Sequence, residues 1–214
     1  MNLKNITLYA LLGYSYFFIM HAVGTIFPAT NYSETWMIIE LSLNFISNLG
    51  ITLFFLILLK EYIHDDDFTL MNSAVAAFLG SLSILLINAL NGFSSILSIP
   101  MDHTVSGRYI VTMVSWIYGF IIVIFFMNFV YYLCKNKTLK LCKPVLWGLG
   151  GTIVFFILCS INMLNYYYFA TNGVIFVDLC RSYLVLPRII LILFSYLSLT
   201  YFMINFYKSL SKKK

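Results

Sequence analysis

Glu40 is the residue of this sequence best placed to do chemistry. It stands among Met37, Ile38, Ile39 and Leu41 in a long apolar run, where a carboxylate is costly unless it is paired or protonated. His21 lies near the end of the preceding apolar run, and only the short segment 28–34 separates the two. Runs joined that closely pack as antiparallel neighbours, so an imidazole and a carboxyl come to one level, the makings of an acid/base pair. Arg188 falls at a similar level of the last run. Asp178 and Arg181 are spaced i,i+3 and can pair if that segment is helical. Asp102, His103 and Arg108 gather just before the fourth run. His21, Glu40, Arg108, Asp178, Arg181 and Arg188 would together line a polar ligand-binding pocket at one end of the molecule. Arginine suits that role better than lysine, because its planar fork holds carboxylates and phosphates bidentately. The competing reading makes these charges interfacial residues that reach for lipid headgroups, with Asp178–Arg181 as a local pair. Glu40, a short acid with little reach, is the residue this second reading covers least well.

Other reactive side chains form no recognisable constellation. The three histidines, His21, His64 and His103, are dispersed without metalloprotease spacing, and no nucleophile elbow or phosphate-binding glycine loop occurs. No catalytic residue, metal site or cofactor is therefore expected. Asp65-Asp66-Asp67 on a short polar segment lacks calcium-loop spacing and reads as a solvated loop. Of the four cysteines, Cys134 and Cys142 flank a basic connection that should face a reducing cytoplasm. Cys159 and Cys180 lie in or at the mouth of apolar runs, where thiols behave as small hydrophobes. Asn31-Tyr32-Ser33 would accept a glycan in a eukaryote.

The elements that must position these residues are set by composition. A chain of 214 residues that is 61% hydrophobic and 10% charged, with a mean hydropathy of +0.91, cannot build a water-soluble surface, since soluble domains carry about a quarter charged residues. Crossing hydrocarbon takes roughly 20 residues of helix. Six runs are long enough: 6–27, 36–59, 69–92, 108–133, 144–168 and 182–207. Backbone polar groups in lipid must be satisfied within the segment, so these are helices. The expected fold is all-α, a polytopic bundle of six transmembrane helices forming one transmembrane domain over 1–214, with no soluble domain. The cleavable-signal alternative for the first run conflicts with its tyrosines and with His21.

Charge orients the bundle. All ten lysines fall in the N-terminal stub, alternate connections and the tail, whereas Arg108, Arg181 and Arg188 fall at the opposite helix ends. The positive-inside rule then places both termini in the cytoplasm. The Lys212–Lys214 tail reads as a topology determinant and headgroup contact rather than a nucleic-acid site. Trp36 and Tyr166–Tyr168 mark the outer interface, Trp147 and Tyr131–Tyr132 the inner one. Asn44 and Asn48 continue the face of Glu40 at four-residue spacing, so this polar stripe should turn inward. Asn88, Asn91, Asn162 and Asn165 are amides of the kind that join helices, by about 1 kcal/mol each. Ala76, Ala77, Gly80, Ser81, Gly148, Gly150 and Gly151 are expected packing sites. The third helix should end near Asn88–Gly92, leaving Phe93–Pro100 along the interface, and Pro187 should sit in the first turn of the sixth.

Several of these features also carry a likeness. Leu58-Leu59-Lys60 closing a polar second span, Asn88 and Asn91, Tyr118-Gly119 followed by Phe125-Phe126, and Leu186-Pro187 resemble small six-helix bacterial integral membrane proteins of the domain-of-unknown-function type. That resemblance implies a bacterial cytoplasmic membrane and no particular activity. Size and helix count are also similar to the substrate-binding subunits of vitamin uptake transporters. Three functions stay open at this point. The first is binding, sensing or transport of a small solute through the outward polar pocket. The second is an interaction role, as an immunity factor or an accessory subunit of a sensor or exporter. The third is an intramembrane enzyme built on His21 and Glu40. The expected partners are the lipid bilayer and either a solute or a membrane protein.

Overall fold

In the computed structural model every described stretch is helical. The structure describes residues 2–26, 34–61, 68–96, 105–135, 139–172 and 176–211, with side chains over 2–20, 38–60, 68–90, 110–135, 141–164, 167, 187 and 189–210. The helices are α1 (Leu3–Ile26), α2 (Glu34–Glu61), α3 (Phe68–Ile96), α4 (Val105–Lys135), α5 (Leu139–Asn172) and α6 (Phe176–Ser211). Asn2 caps α1: its Oδ1 accepts from the Asn5 N–H at 3.0 Å and its carbonyl from the Ile6 N–H at 3.2 Å. That satisfies donors which the first helical turn leaves unpaired.

Every helix is longer than the apolar run that announced it. Hydropathy marks the stretch suited to hydrocarbon, while the backbone continues its hydrogen bonds into the polar ends. Two expectations are corrected for this reason. Helix α3 continues to Ile96, so Phe93–Ile96 are helical rather than laid along an interface; residues 97–100 lie outside the described residues. Pro187 stands well inside α6, which begins at Phe176, and Pro144 stands inside α5. Each proline costs its helix one backbone bond to the residue four before it, a loss these helices of 34 and 36 residues absorb.

Five helices contain segments long and apolar enough to cross a membrane: Ile38–Lys60, Phe68–Leu90, Ile110–Lys135, Leu141–Leu164 and Ile189–Leu210. Between 22% and 44% of each is buried inside the molecule. Their remaining apolar faces, including Ile46, Leu86, Met127 and Leu197, are exposed and suit lipid rather than water. Tyr131 and Trp147 are exposed near one end and Tyr167 near the other, as in an aromatic belt. The described part of α1 falls short of the same measure because it carries Lys4, Asn5 and three tyrosines.

The helices close a ring. Among the described residues α1 packs on α2, α2 on α3, and so on to α6, which returns to α1; no helix touches a non-neighbour through its backbone. Successive helices are antiparallel. The longest connection, 97–104, reaches at most about 28 Å fully extended, and even the shortest helix, 24 residues, is roughly 36 Å long. The α1–α6 seam joins through Phe17 stacked on Tyr196, centroids 6.2 Å apart, and Lys4 Nζ 5.4 Å above the Tyr207 ring. Both chain ends therefore lie at one end of the ring, here the terminal end. Helices α1 and α2 approach closely at Gly13, where a Cβ would come 2.9 Å from the Ser47 carbonyl oxygen, and at Gly50, 3.1 Å from that of Tyr9.

Towards the terminal end the ring is filled. Phe54 and Phe55 from α2, Phe125, Phe126 and Phe129 from α4, and Phe202 and Phe206 from α6 are all fully buried. Their rings meet edge to face across the axis, Phe54 with Phe206 at 5.9 Å, Phe55 with Phe125 at 5.3 Å and Phe126 with Phe202 at 5.0 Å. Such geometry suits the positive edge and negative face of aromatic rings. Near this level the odd helices add Ile6 and Leu70, also fully buried, and the smaller Ala74 and Val145. Large side chains from alternate helices thus bridge a gap that backbone contacts leave open.

Candidate functional site

One turn beyond the phenylalanine cluster, away from the termini, the ring holds a cavity of about 370 Å³. All six helices line it: Tyr14 and Phe17 from α1, Asn44, Asn48 and Ile51 from α2, Ile84, Ile87 and Asn88 from α3. Val111, Ser115, Tyr118 and Ile122 come from α4, Thr152 and Phe155 from α5, and Tyr196 and Leu199 from α6. The boundary is sharp on every even helix, between Ile51 and Phe54, Ile122 and Phe125, and Leu199 and Phe202. Small-molecule sites are concavities of about 300–1,000 Å³ with apolar walls and a few placed polar groups, and this cavity has that character.

The polar groups of the wall are uncharged. Tyr14 and Tyr118 are hydrogen-bonded to each other through their hydroxyls, with Tyr196 beside them. Ser115 Oγ donates to the Val111 carbonyl at 2.8 Å and Thr152 Oγ1 to that of Leu149 at 2.9 Å. A hydroxyl has one proton and two lone pairs, so each of these two turns acceptor capacity towards the lumen. Asn48 spends one amide proton on the Asn44 carbonyl at 2.8 Å. Its other proton and its oxygen remain available to a guest. The wall therefore favours molecules that bring hydrogen-bond donors and an apolar body.

Comparison with family models, with curated proteins and with solved structures finds no match.

The residues expected to form a charged pocket share one end of the ring by helix position. His21 lies in the last turns of α1, Glu40 in the second turn of α2, Arg108 in the first turn of α4, and Asp178, Arg181 and Arg188 in the first half of α6. The register that sets Gly13 against Ser47 and Gly50 against Tyr9 puts position 21 level with position 40. Of the six, only the Glu40 side chain is among the described ones. Glu40 is half-buried, one turn from Asn44, and its backbone carbonyl accepts from Tyr16 Oη at 3.4 Å. Asp178 and Arg181 do fall within one helix, which the i,i+3 spacing required. Asp65–Asp67, Asp102, His103 and Asn31-Tyr32-Ser33 lie outside the described residues.

Sequence reasoning pointed to part of the cavity wall. Asn44 and Asn48, two members of the polar stripe of α2, face it, and so does Asn88. The tyrosines did not stand out, because Tyr14, Tyr118 and Tyr196 are three of 16. Their shared level emerges only once the ring closes. Gly150, expected to pack, has nothing within 4 Å of a Cβ placed on it.

Proposed function

We propose that this chain is a six-span protein of a bacterial cytoplasmic membrane, both termini cytoplasmic, that binds a small uncharged solute in the central cavity to sense or transport it. The observation that carries the reading is the cavity itself, walled by all six helices, rich in hydroxyls and amides, and lined by no charged side chain among the described residues. A charged guest would leave water without a counter-charge, which costs several kcal/mol or more, whereas a neutral one with apolar faces loses little. The phenylalanine cluster supports a site closed towards the cytoplasm. The place of α1 in the ring between α2 and α6 supports counting it as the sixth span, and the ten lysines support the orientation.

The purified protein should be stabilised against heat by some uncharged amphipathic compounds, such as phenols, aromatic amides and cyclic alcohols, and not by carboxylates or quaternary amines of equal size. A ligand at 100 times its Kd adds about 2.7 kcal/mol, a readily measured rise in melting temperature. Ser115→Phe should fill the cavity and abolish the rise, and Tyr118→Phe should weaken it. Stabilisation that persists in Ser115→Phe would rule the cavity out.

A charged mouth is the second reading, favoured by the half-buried Glu40 one turn beyond Asn44. It predicts that Glu40→Gln and Arg188→Ala abolish binding of a charged solute at unchanged membrane abundance. Orientation is testable separately. Reporters fused to the C-terminus and to the connection 62–67 should both read cytoplasmic, and one in 97–104 periplasmic; a periplasmic C-terminus would refute the orientation, and reporters at the two termini on opposite sides would refute six spans.

A further inference from the structure

The α4–α5 pair carries a feature that solute binding does not use. Its register is fixed by Trp116 Nε1 donating to Ser160 Oγ at 2.9 Å, by Gly119 against Phe156, and by Phe126 against Gly148. Followed to the terminal end, the same register brings Cys134, in the last turn of α4, opposite Cys142, in the first turns of α5. Their sulfurs lie 3.1 Å apart and both thiols are free. Cys134 is exposed and Cys142 partly so, whereas Cys159, further along α5, is buried. Exposed Lys135 and Lys143 adjoin the two cysteines in the chain, and Lys137 and Lys140 lie in the same stretch of sequence.

We propose that Cys134 and Cys142 form a thiol–disulfide exchange site whose oxidant is an anionic low-molecular-weight disulfide. Three observations meet here. The sulfurs are already neighbours at 3.1 Å, about 1 Å beyond bonding distance. The pair is reachable from the aqueous phase, which thiol exchange requires. Exposed Lys135 and Lys143, next in the chain to the two cysteines, attract a carboxylate-bearing reagent. The more exposed Cys134 reacts first: its thiolate attacks one sulfur of the reagent, giving a mixed disulfide and releasing one reagent thiolate. Cys142, after losing its proton to water, attacks the Cys134 sulfur and expels the second reagent thiolate. Two protein thiols are oxidised and one small disulfide is reduced to two thiols, the two reagent thiolates taking up, through water, the two protons the protein thiols lost. The product fastens the last turn of α4, which carries the buried Leu133, to the start of α5 with its buried Leu141 and Val145. It therefore clamps the ring just outside the phenylalanine cluster.

The test uses the full-length protein in detergent and in vesicles, with oxidised glutathione as the anionic reagent and cystamine as its cationic counterpart. Peptide mapping without reductant should show one intramolecular Cys134–Cys142 link, and maleimide-reactive thiols measured after denaturation should fall from four to two. Cys142→Ser should stop at a mixed disulfide on Cys134, while Cys159→Ser should behave as wild type. Oxidised glutathione should react several-fold faster than cystamine at low salt, with the gap closing at high salt as the lysine field is screened. Separate mixed disulfides on both cysteines of the wild type, or dimers linked between chains, would overturn the site. Equal rates at low salt, or a faster cystamine, would overturn the anionic assignment.

Discussion

At the scale of single residues, α5 carries two adjacent glycines whose surroundings differ completely. A Cβ on Gly151 would fall 2.7 Å from Ser198 Cβ and 2.8 Å from the Ser195 carbonyl oxygen, and Ser195 Oγ donates to the Gly151 carbonyl at 2.9 Å. A Cβ on Gly150 would meet nothing within 4 Å. Gly151→Ala should therefore push α5 from α6 and cost about 1–3 kcal/mol, as overpacking does. Gly150→Ala should be neutral or gain up to about 1 kcal/mol from helix propensity. Melting of the two variants in one detergent decides it, and equal losses would mean that α5 and α6 do not meet at Gly151. The sequence could not separate these neighbours, since both present the same small residue in the same apolar setting. Asn44 and Asn48 were legible for the opposite reason: amides repeated every four residues beside Glu40 must all turn to one side of a helix. Tyr14, Tyr118 and Tyr196 carry no such signal, since a tyrosine in an apolar run serves equally well at an interface or in a core.

At the scale of elements, the apolar runs foretold where helices lie but not where they stop. Nothing in Phe93–Ile96 breaks a helix, and neither Pro144 nor Pro187 ended one. The rule that marks proline as a helix start presumes that the helix begins where its hydrophobicity does. In α6 the polar lead-in from Phe176 is helical too, so the proline lies inside. The phenylalanine pattern is present in the sequence. Phe54-Phe55, Phe125-Phe126 and Phe202 followed by Phe206 all fall in the lysine-bearing halves of even-numbered runs. Their meaning depends on the ring, because only there do alternate helices face one another across an open axis. In a membrane, where lipid is as apolar as leucine, such a cluster contributes through close packing rather than through escape from water.

At the scale of the whole molecule, the sorting of lysine from arginine and the division of the lumen follow the same axis. The lysine-rich end is the filled end, and the cavity lies towards the arginines. Closure of the ring also has a consequence for the order of the chain itself. With α6 seated against α1 and Lys4 beside Tyr207, the six helices form a cycle in which each has a neighbour on either side. A gene reopened at 62–67, starting at Phe68, joining Ser211 to Asn2 by a short flexible linker and ending at Glu61, would keep every neighbour and every end on its present side. Such a permutant should fold, melt within a few degrees of the parent and keep its ligand response; an aggregated product would mean that the α1–α6 seam forms last and needs free ends. Tags, sensors or split fluorophores could then enter at either kind of opening, with the cavity undisturbed.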